Sequence, residues 1–226
     1  MQEESRKVSA AGWDFRLHPG TSKVGIVLVH EILGRDSYVD SVAAQLAQSG
    51  FSAAAVDLYR GKYAASLEEG FKLRSALKEQ DVLDALGSGL HLVAQTIGQN
   101  SKVGSMGFCM GGGLALLGAC NLNFAFCVDY YGMIEDVEQA KGLKGPIQLI
   151  LGSEDERVTP WTYQHLLPSL TKYKKRADVH LYPNARHAFH RPNRDGHNAE
   201  AAKDAWGKTL SFISQFLSSS VSASRH

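Results

Sequence analysis

The sequence predicts an α/β fold, a mostly parallel central sheet with helices on both faces. Three observations lead there. Short runs that are almost wholly apolar recur along the 226 residues, as strands buried on both faces of a parallel sheet require. Between them lie segments with apolar residues at helical spacing, so strands and helices alternate. Each residue with chemistry to offer comes directly after such an apolar run, at the carboxyl end of a strand, where open α/β sheets hold their ligands.

The first element comes after a polar start: Trp13, Phe15 and Leu17 alternate with polar residues, which predicts a half-buried edge strand closed by Pro19-Gly20. Val24 to His30 is a strand buried on both faces, and His30-Glu31-Ile32-Leu33-Gly34 is the loop after it. A helix from Ser37 to Gln48 ends at Gly50, with Val39, Val42, Ala43 and Leu46 on its apolar face, and Phe51 to Asp57 is the next strand. Ser66 and Glu69 have capping-box spacing at the head of a helix reaching Lys78. Val82, Leu86, Leu90, Val93 and Ile97 share one face of the next helix, although Gly87 and Gly89 weaken it. Further strands are expected at Phe124 to Tyr131, Pro146 to Leu151 and Ala177 to Tyr182. Thr159-Pro160 is expected to start a helix as N-cap and first residue, with Pro168 interrupting it. The last helix carries Trp206, Leu210, Ile213 and Leu217 on one stripe, and the Ser-rich end Ser218 to His226 is expected to fray. There is no internal repeat or linker, so residues 1–226 are read as one domain.

Composition removes several functions. The net charge is +1 with both signs interspersed, so neither nucleic acid nor an anionic membrane is an expected partner. The basic run Lys172 to Arg176 reads as a solvated helix end. Three cysteines without a C-x-x-C pair fit a reducing compartment better than a disulfide framework. The segment M-Q-E-E-S-R-K has no apolar h-region and no run is long enough to span a bilayer, so a cytoplasmic protein is expected.

The chemistry centres on Lys102 to Gly113, K-V-G-S-M-G-F-C-M-G-G-G. An apolar strand reaches Gly107-Phe108-Cys109-Met110-Gly111 and continues as a helix of small apolar residues. Small-x-nucleophile-x-small across a strand, a sharp turn and a helix is the nucleophile elbow of α/β-hydrolases, with Cys in place of Ser. The Cys109 sulfur would sit at a helix N-terminus, which favours negative charge, with the Met110 amide turned towards an oxyanion beside it. An inert core cysteine and a phosphate loop are the competing readings of these residues, and the Lys-Ser/Thr of a Walker A loop is missing. The acids and histidines nearer the C-terminus separate these readings. Asp155 lies in the loop after the strand Pro146 to Leu151, and His187 in the loop after Ala177 to Tyr182. Nucleophile, acid and His therefore come in α/β-hydrolase order, each after its own strand. The His is needed to move the thiol proton, and the carboxylate to fix its tautomer; Glu154 is an alternative acid. His187, His190 and His197 have no recognised metal-ligand spacing, so no metal or organic cofactor is expected.

These residues resemble the dienelactone hydrolase family, cysteine-dependent members of the α/β-hydrolase fold. The resemblance runs through His30-Glu31-Ile32-Leu33-Gly34, Asp57-Leu58-Tyr59, Gly107 to Gly112, Gly152-x-x-Asp155 and His187-x-Phe189. It implies a triad of Cys109, Asp155 and His187, an oxyanion hole from the amides of Ile32 and Met110, and Glu31 as the carboxylate that contacts the resting thiol. A carboxylate there would keep the thiol neutral until substrate arrives. The family binds an anionic substrate with an Arg and a Tyr four residues apart, a Ser directly after the His and an Arg four residues after it. Here Leu67, Phe71 and Ala188 stand at the first three positions and only Arg191 is kept. The expected substrate is a small ester or lactone, and the expected protein a monomer or weak homodimer. The alternative is a non-catalytic small-molecule-binding or thiol-regulated protein on the same fold.

Overall fold

Eight strands form one sheet, in the order β1-β2-β4-β3-β5-β6-β7-β8, in a computed structural model that describes residues 4–217. Strands β1 (Arg6–Ala10) and β2 (Trp13–His18) pair antiparallel, and β2 runs antiparallel to β4 (Ser52–Asp57). From β4 the sheet is parallel through β3 (Val24–Val29), β5 (Lys102–Phe108), β6 (Cys127–Tyr130), β7 (Ile147–Gly152) and β8 (Ala177–Tyr182). The carboxyl ends of β3, β5, β6, β7 and β8 therefore open on the same side.

Side chains divide between the two faces with period two. In β3, Val27 and Val29 pack with α3 (Glu79–Ile97) and α4 (Met110–Asn121). Val24, Ile26 and Leu28 pack with α1 (Ser37–Gln48) and α7 (Ala199–Ser214). This two-sided burial is why the central strands read as continuous apolar runs rather than alternating ones. Helix α2 (Leu67–Ala76) buries only Gly70 and lies outside both layers.

The sequence is corrected in five places. The polar start forms β1, so Trp13–His18 is not the edge; an edge strand with one solvated face needs few large apolar residues. Strand β6 is shorter than expected, Cys127–Tyr130. Thr159 is not an N-cap: helix α5 (Val158–Trp161) begins two residues before Pro160, with Arg157 at the N-cap, and the Thr159 hydroxyl donates to Gly152 O at 2.7 Å. The helix then widens to π turns over Thr162–Leu166 and resumes as α6 (Leu167–Lys172), whose first turn holds Pro168. Proline has no N–H to give and its ring crowds the carbonyl four residues back, which a wider turn relieves. On α7 the buried stripe is Ala201, Ala205, Thr209, Phe212 and Ile213, while Trp206 and Leu210 sit at its border and Leu217 is exposed. Residues Ser218 to His226 lie outside the described residues. Gly89 does not break α3: a Cβ there would lie 2.9 Å from Phe15 and Val27, so its absence lets the helix meet the sheet.

Candidate active site

The elbow is built as its glycines require. Cys109 has φ 55° and ψ −122°, a left-handed conformation that costs a non-glycine residue about 1 to 3 kcal/mol. It is held by Cys109 N–H donating to Tyr130 O at 2.9 Å and by Gly112 N–H donating to Cys109 O at 3.0 Å. A Cβ on Gly107 would stand 2.1 Å from Gly111 O, and one on Gly111 2.4 Å from Val29 O. No side chain fits at either position. The result brings the start of α4 against the end of β3.

Cys109, His187 and Asp155 form one hydrogen-bonded line. His187 Nε2 is 3.1 Å from Cys109 Sγ, and His187 Nδ1 is 2.6 Å from Asp155 Oδ2. Asp155 is buried, and its Oδ1 accepts from the amides of Val158 at 2.9 Å and Arg157 at 3.2 Å. Burial pushes its carboxyl up, but the hydrogen bonds from His187 and Val158 outweigh this and leave it below the usual carboxylate range. With an ionised acceptor, Nδ1 carries the proton and Nε2 faces the sulfur. Burial lowers the His187 imidazole, yet its hydrogen bonds to Asp155 and Cys109 raise it overall, to about 10. The two loops are tied together by Ser153 N–H on Tyr182 O and Glu154 N–H on Ala185 O, 2.9 Å each. Glu154, the alternative acid, is exposed.

On the other side of the sulfur lies the loop after β3. His30 is buried and braces it: Leu58 N–H donates to Nε2 at 3.2 Å, so Nδ1–H donates to Glu31 O at 2.7 Å. Ile32 and Met110 face each other, since the Tyr59 hydroxyl is 3.2 Å from both Ile32 O and Met110 Sδ. Neither the Ile32 nor the Met110 amide takes part in the loop and cap hydrogen bonds of the described residues. Helix α2 presses on this loop, and a Cβ on Gly70 would come within 2.8 Å of Ile32 O.

Glu31 and Arg191 differ from expectation. Glu31 is bound to Arg191, with the Arg191 guanidinium donating to Oε2 at 2.6 Å, and no contact joins it to the Cys109 sulfur. Its Oε1 is buried without a partner among the described residues. Burial raises the Glu31 carboxyl more than the Arg191 charge lowers it. Arg191 also donates to Asp36 and lies over the Tyr38 ring at 4.7 Å. It is thus no free anchor: two carboxylates already neutralise it. Leu67 and Phe71 are more than half exposed, one turn apart on α2. Ala188 has φ 61° and packs against the α1 and α7 layer.

Several neighbours were invisible in the sequence. The Tyr38 hydroxyl pairs with His190 Nδ1 at 2.8 Å, and His197 Nδ1 with Phe189 O at 3.0 Å, so the three histidines diverge to separate partners. Burial holds His190 down at about 4. Asp129, fully buried, is pushed up to about 7 by burial and accepts from Gly132 N–H at 2.8 Å. Tyr131, whose ring touches Phe108, Tyr130, His187 and Phe189, has φ 45°. Tyr59 and His30 carried a signal as members of the family motifs, and His190 and His197 as histidines weighed for a metal; Tyr38 and Asp129 carried none.

A sheet with these connections, a left-handed cysteine at the elbow, and an acid and a His in the loops after β7 and β8 defines an α/β-hydrolase. The profile of the dienelactone hydrolase family matches residues 16–217, and the chain belongs to that family of hydrolases. It is 30% identical to the protein usf of Aquifex pyrophilus, over 85% of this chain and 88% of that protein. It is 26% identical to the carboxymethylenebutenolidase of Pseudomonas putida, over 85% of this chain and 86% of the relative. A dienelactone hydrolase-like promiscuous phosphotriesterase from metagenomic libraries has the same fold, with TM-score 0.84, 22% identity and coverage of 96% and 99%. Family membership removes the non-catalytic alternative. No helix among the described residues is long and apolar enough to cross a membrane.

Proposed function

We propose that this hydrolase cleaves small, predominantly neutral esters and lactones through an acyl-enzyme on Cys109. The observation that carries this is the line Sγ to Nε2 to Nδ1 to Oδ2, 3.1 and 2.6 Å at its two hydrogen bonds. The proton of the Sγ–Nε2 pair resides on His187 as the sulfur attacks the carbonyl carbon. The carbonyl oxygen takes the negative charge at the amides of Ile32 and Met110. As the tetrahedral species collapses, the C–O bond breaks and His187 protonates the leaving alkoxide. Water then attacks the thioester, losing a proton to His187; the C–S bond breaks and Cys109 regains its proton as the acid departs. Asp155 keeps Nδ1 protonated and stabilises the imidazolium.

Glu31 restrains the thiol between turnovers in this proposal. Its unpaired Oε1 supports that role, because a buried acceptor without a partner is available to an S–H. The substrate preference rests on Arg191, whose charge is taken by Glu31 and Asp36, and on Leu67, Phe71 and Ala188, which offer apolar surface. The cytoplasmic location and the monomeric or weakly dimeric state expected from the sequence belong to the same proposal. The test is a pre-steady-state burst with p-nitrophenyl acetate, followed by peptide mass analysis. One nitrophenolate released per chain and one acetyl group on Cys109 are expected; an acetyl group elsewhere, or none, contradicts the proposal.

A further inference from the structure

Tyr131 directly follows β6 and is 1% exposed, yet its hydroxyl has no hydrogen-bond partner among the described residues. A hydroxyl buried in this way opposes folding, and phenylalanine would avoid the cost. The backbone adds a second cost, because φ 45° is unfavourable for an aromatic residue. The surroundings hold it there. Tyr131 N–H donates to Ile150 O at 2.9 Å, and the Asp129 carboxylate anchors the next residue through Gly132 N–H. The ring is clamped between His187, edge-on at 5.1 Å, and Phe189 at 5.6 Å. Burial keeps the phenol protonated. It is a fixed donor beside His187 with nothing to donate to.

Its position says what it meets. In the sheet, β3 flanks β5 on one side and β6 on the other. The oxyanion amides come from the loop after β3 and from the elbow, and the proton for the leaving group comes from His187. Tyr131 comes from the β6 side, within the layer that packs under α1 and α7. A substrate with its carbonyl oxygen at the amides and its leaving oxygen at His187 has only its acyl chain left to reach Tyr131.

We infer that the Tyr131 hydroxyl is a substrate-contacting donor that sets acyl specificity, by hydrogen-bonding an ether or keto oxygen close to the scissile carbonyl. This rests on the acyl-enzyme reading above. The hydrolase then selects esters and lactones with an oxygenated acyl part over their hydrocarbon counterparts.

The experiment compares p-nitrophenyl methoxyacetate with p-nitrophenyl butyrate, in which a methylene replaces the ether oxygen, in wild type and Tyr131→Phe. Tyr131→Phe is expected to lower kcat/KM for the methoxyacetate by about tenfold and to leave the butyrate within about threefold. The melting temperature of the free variant should be unchanged or higher, since an unpaired hydroxyl has been removed. Equal losses on both esters, no loss on either, or a lower melting temperature would each overturn the inference. Acyl mass on wild-type Cys109 tests the parent reading separately. If no acyl group forms there, affinities for N-methyl methoxyacetamide and N-methyl butyramide replace the rates; a wild-type preference for the ether must appear and must vanish in Tyr131→Phe.

Discussion

On one flank of the Cys109 sulfur, the loops after β7 and β8 leave the acid of the site nothing to ask for. Asp155 takes His187 on one oxygen and two backbone amides on the other, and the loops are stitched to each other by backbone hydrogen bonds. Elsewhere around the sulfur, Glu31 keeps an unpaired oxygen, Tyr131 an unpaired hydroxyl, and Arg191 is crowded by two carboxylates. The difference separates two tasks. On the proposed mechanism, the groups that hold one geometry through the reaction are satisfied by the protein itself, whereas Glu31 and Tyr131, assigned to respond to thiol and substrate, are left wanting a partner.

The largest effect is expected at the sulfur. Cys109→Ala is expected to abolish turnover, a loss of at least about ten-thousandfold, with an unchanged melting temperature, because the elbow accepts a small side chain. Cys120→Ala and Cys127→Ser, at buried free thiols, should keep triad geometry and differ in stability alone. Wild-type activity in Cys109→Ala would remove the nucleophile assignment altogether. Next in size is Asp155→Asn. Its Oδ1 contacts to Val158 and Arg157 survive, but an amide NH2 can replace the oxygen facing Nδ1–H, and His187 is then held in the wrong tautomer. A fall in kcat of up to about ten-thousandfold is expected, with little change in KM.

How the flanks were legible differs for the same physical reason. Cys109, Asp155 and His187 each come after an apolar strand run, and the order of the three types in the chain carries their meaning. The strands that aim Cys109 and Asp155, β5 and β7, are buried on both faces, so their apolar runs stand out, whereas β8, which aims His187, is a half-buried edge strand. Strand β1 was missed because Arg6-Lys7-Val8-Ser9-Ala10 has a single large apolar residue. Arg191 was visible through its spacing from His187, but Asp36, its second partner, is 155 positions away and no local pattern connects them. Tyr131 reads as the last residue of a strand. Its importance comes from a left-handed backbone and a missing partner, neither of which composition or periodicity encodes.

His187 and His190 sharpen the comparison on a single loop. They are three residues apart and shifted in opposite directions. His190 is neutral when folded, at about 4 against an ordinary 6.5. Between those values the unfolded chain binds the extra proton, so stability is lost as pH falls from about 6.5 to about 4, by at most roughly 3 kcal/mol. His187 is raised, so its contribution is complete below 6.5 and is lost as pH rises through about 10. Urea midpoints measured across pH 4 to 10 should fall at both ends. His190→Gln should flatten the acid side only; an acid slope that survives this substitution assigns it to other groups.

Glu31→Gln gives a smaller effect. Losing a negative charge beside the thiol should speed iodoacetamide alkylation at neutral pH by roughly threefold to tenfold. Asp36 still holds Arg191 in that variant, so the guanidinium is not released into the site. Unchanged or slower alkylation would make Glu31 a structural partner of Arg191 and nothing more.

The smallest effect concerns a carboxylate on the substrate. To bind one, Arg191 must give up Glu31 or Asp36, and a buried carboxylate left behind costs as much as the new ion pair returns. Leu67 and Phe71 supply no compensating donor; they offer apolar surface instead, more than half of it open to solvent. A neutral lactone and its carboxylated counterpart should therefore differ in kcat/KM by less than about tenfold, or 1.4 kcal/mol. Arg191→Ala should leave that ratio within about threefold while lowering stability, since Glu31 and Asp36 lose their shared cation. A preference for the anion above about a hundredfold, roughly 2.7 kcal/mol, that disappears in Arg191→Ala would show that the substrate displaces a carboxylate from Arg191. The same preference surviving in Arg191→Ala would place the anchor on another cation, with Arg74 on α2 and Arg194 the first to be replaced.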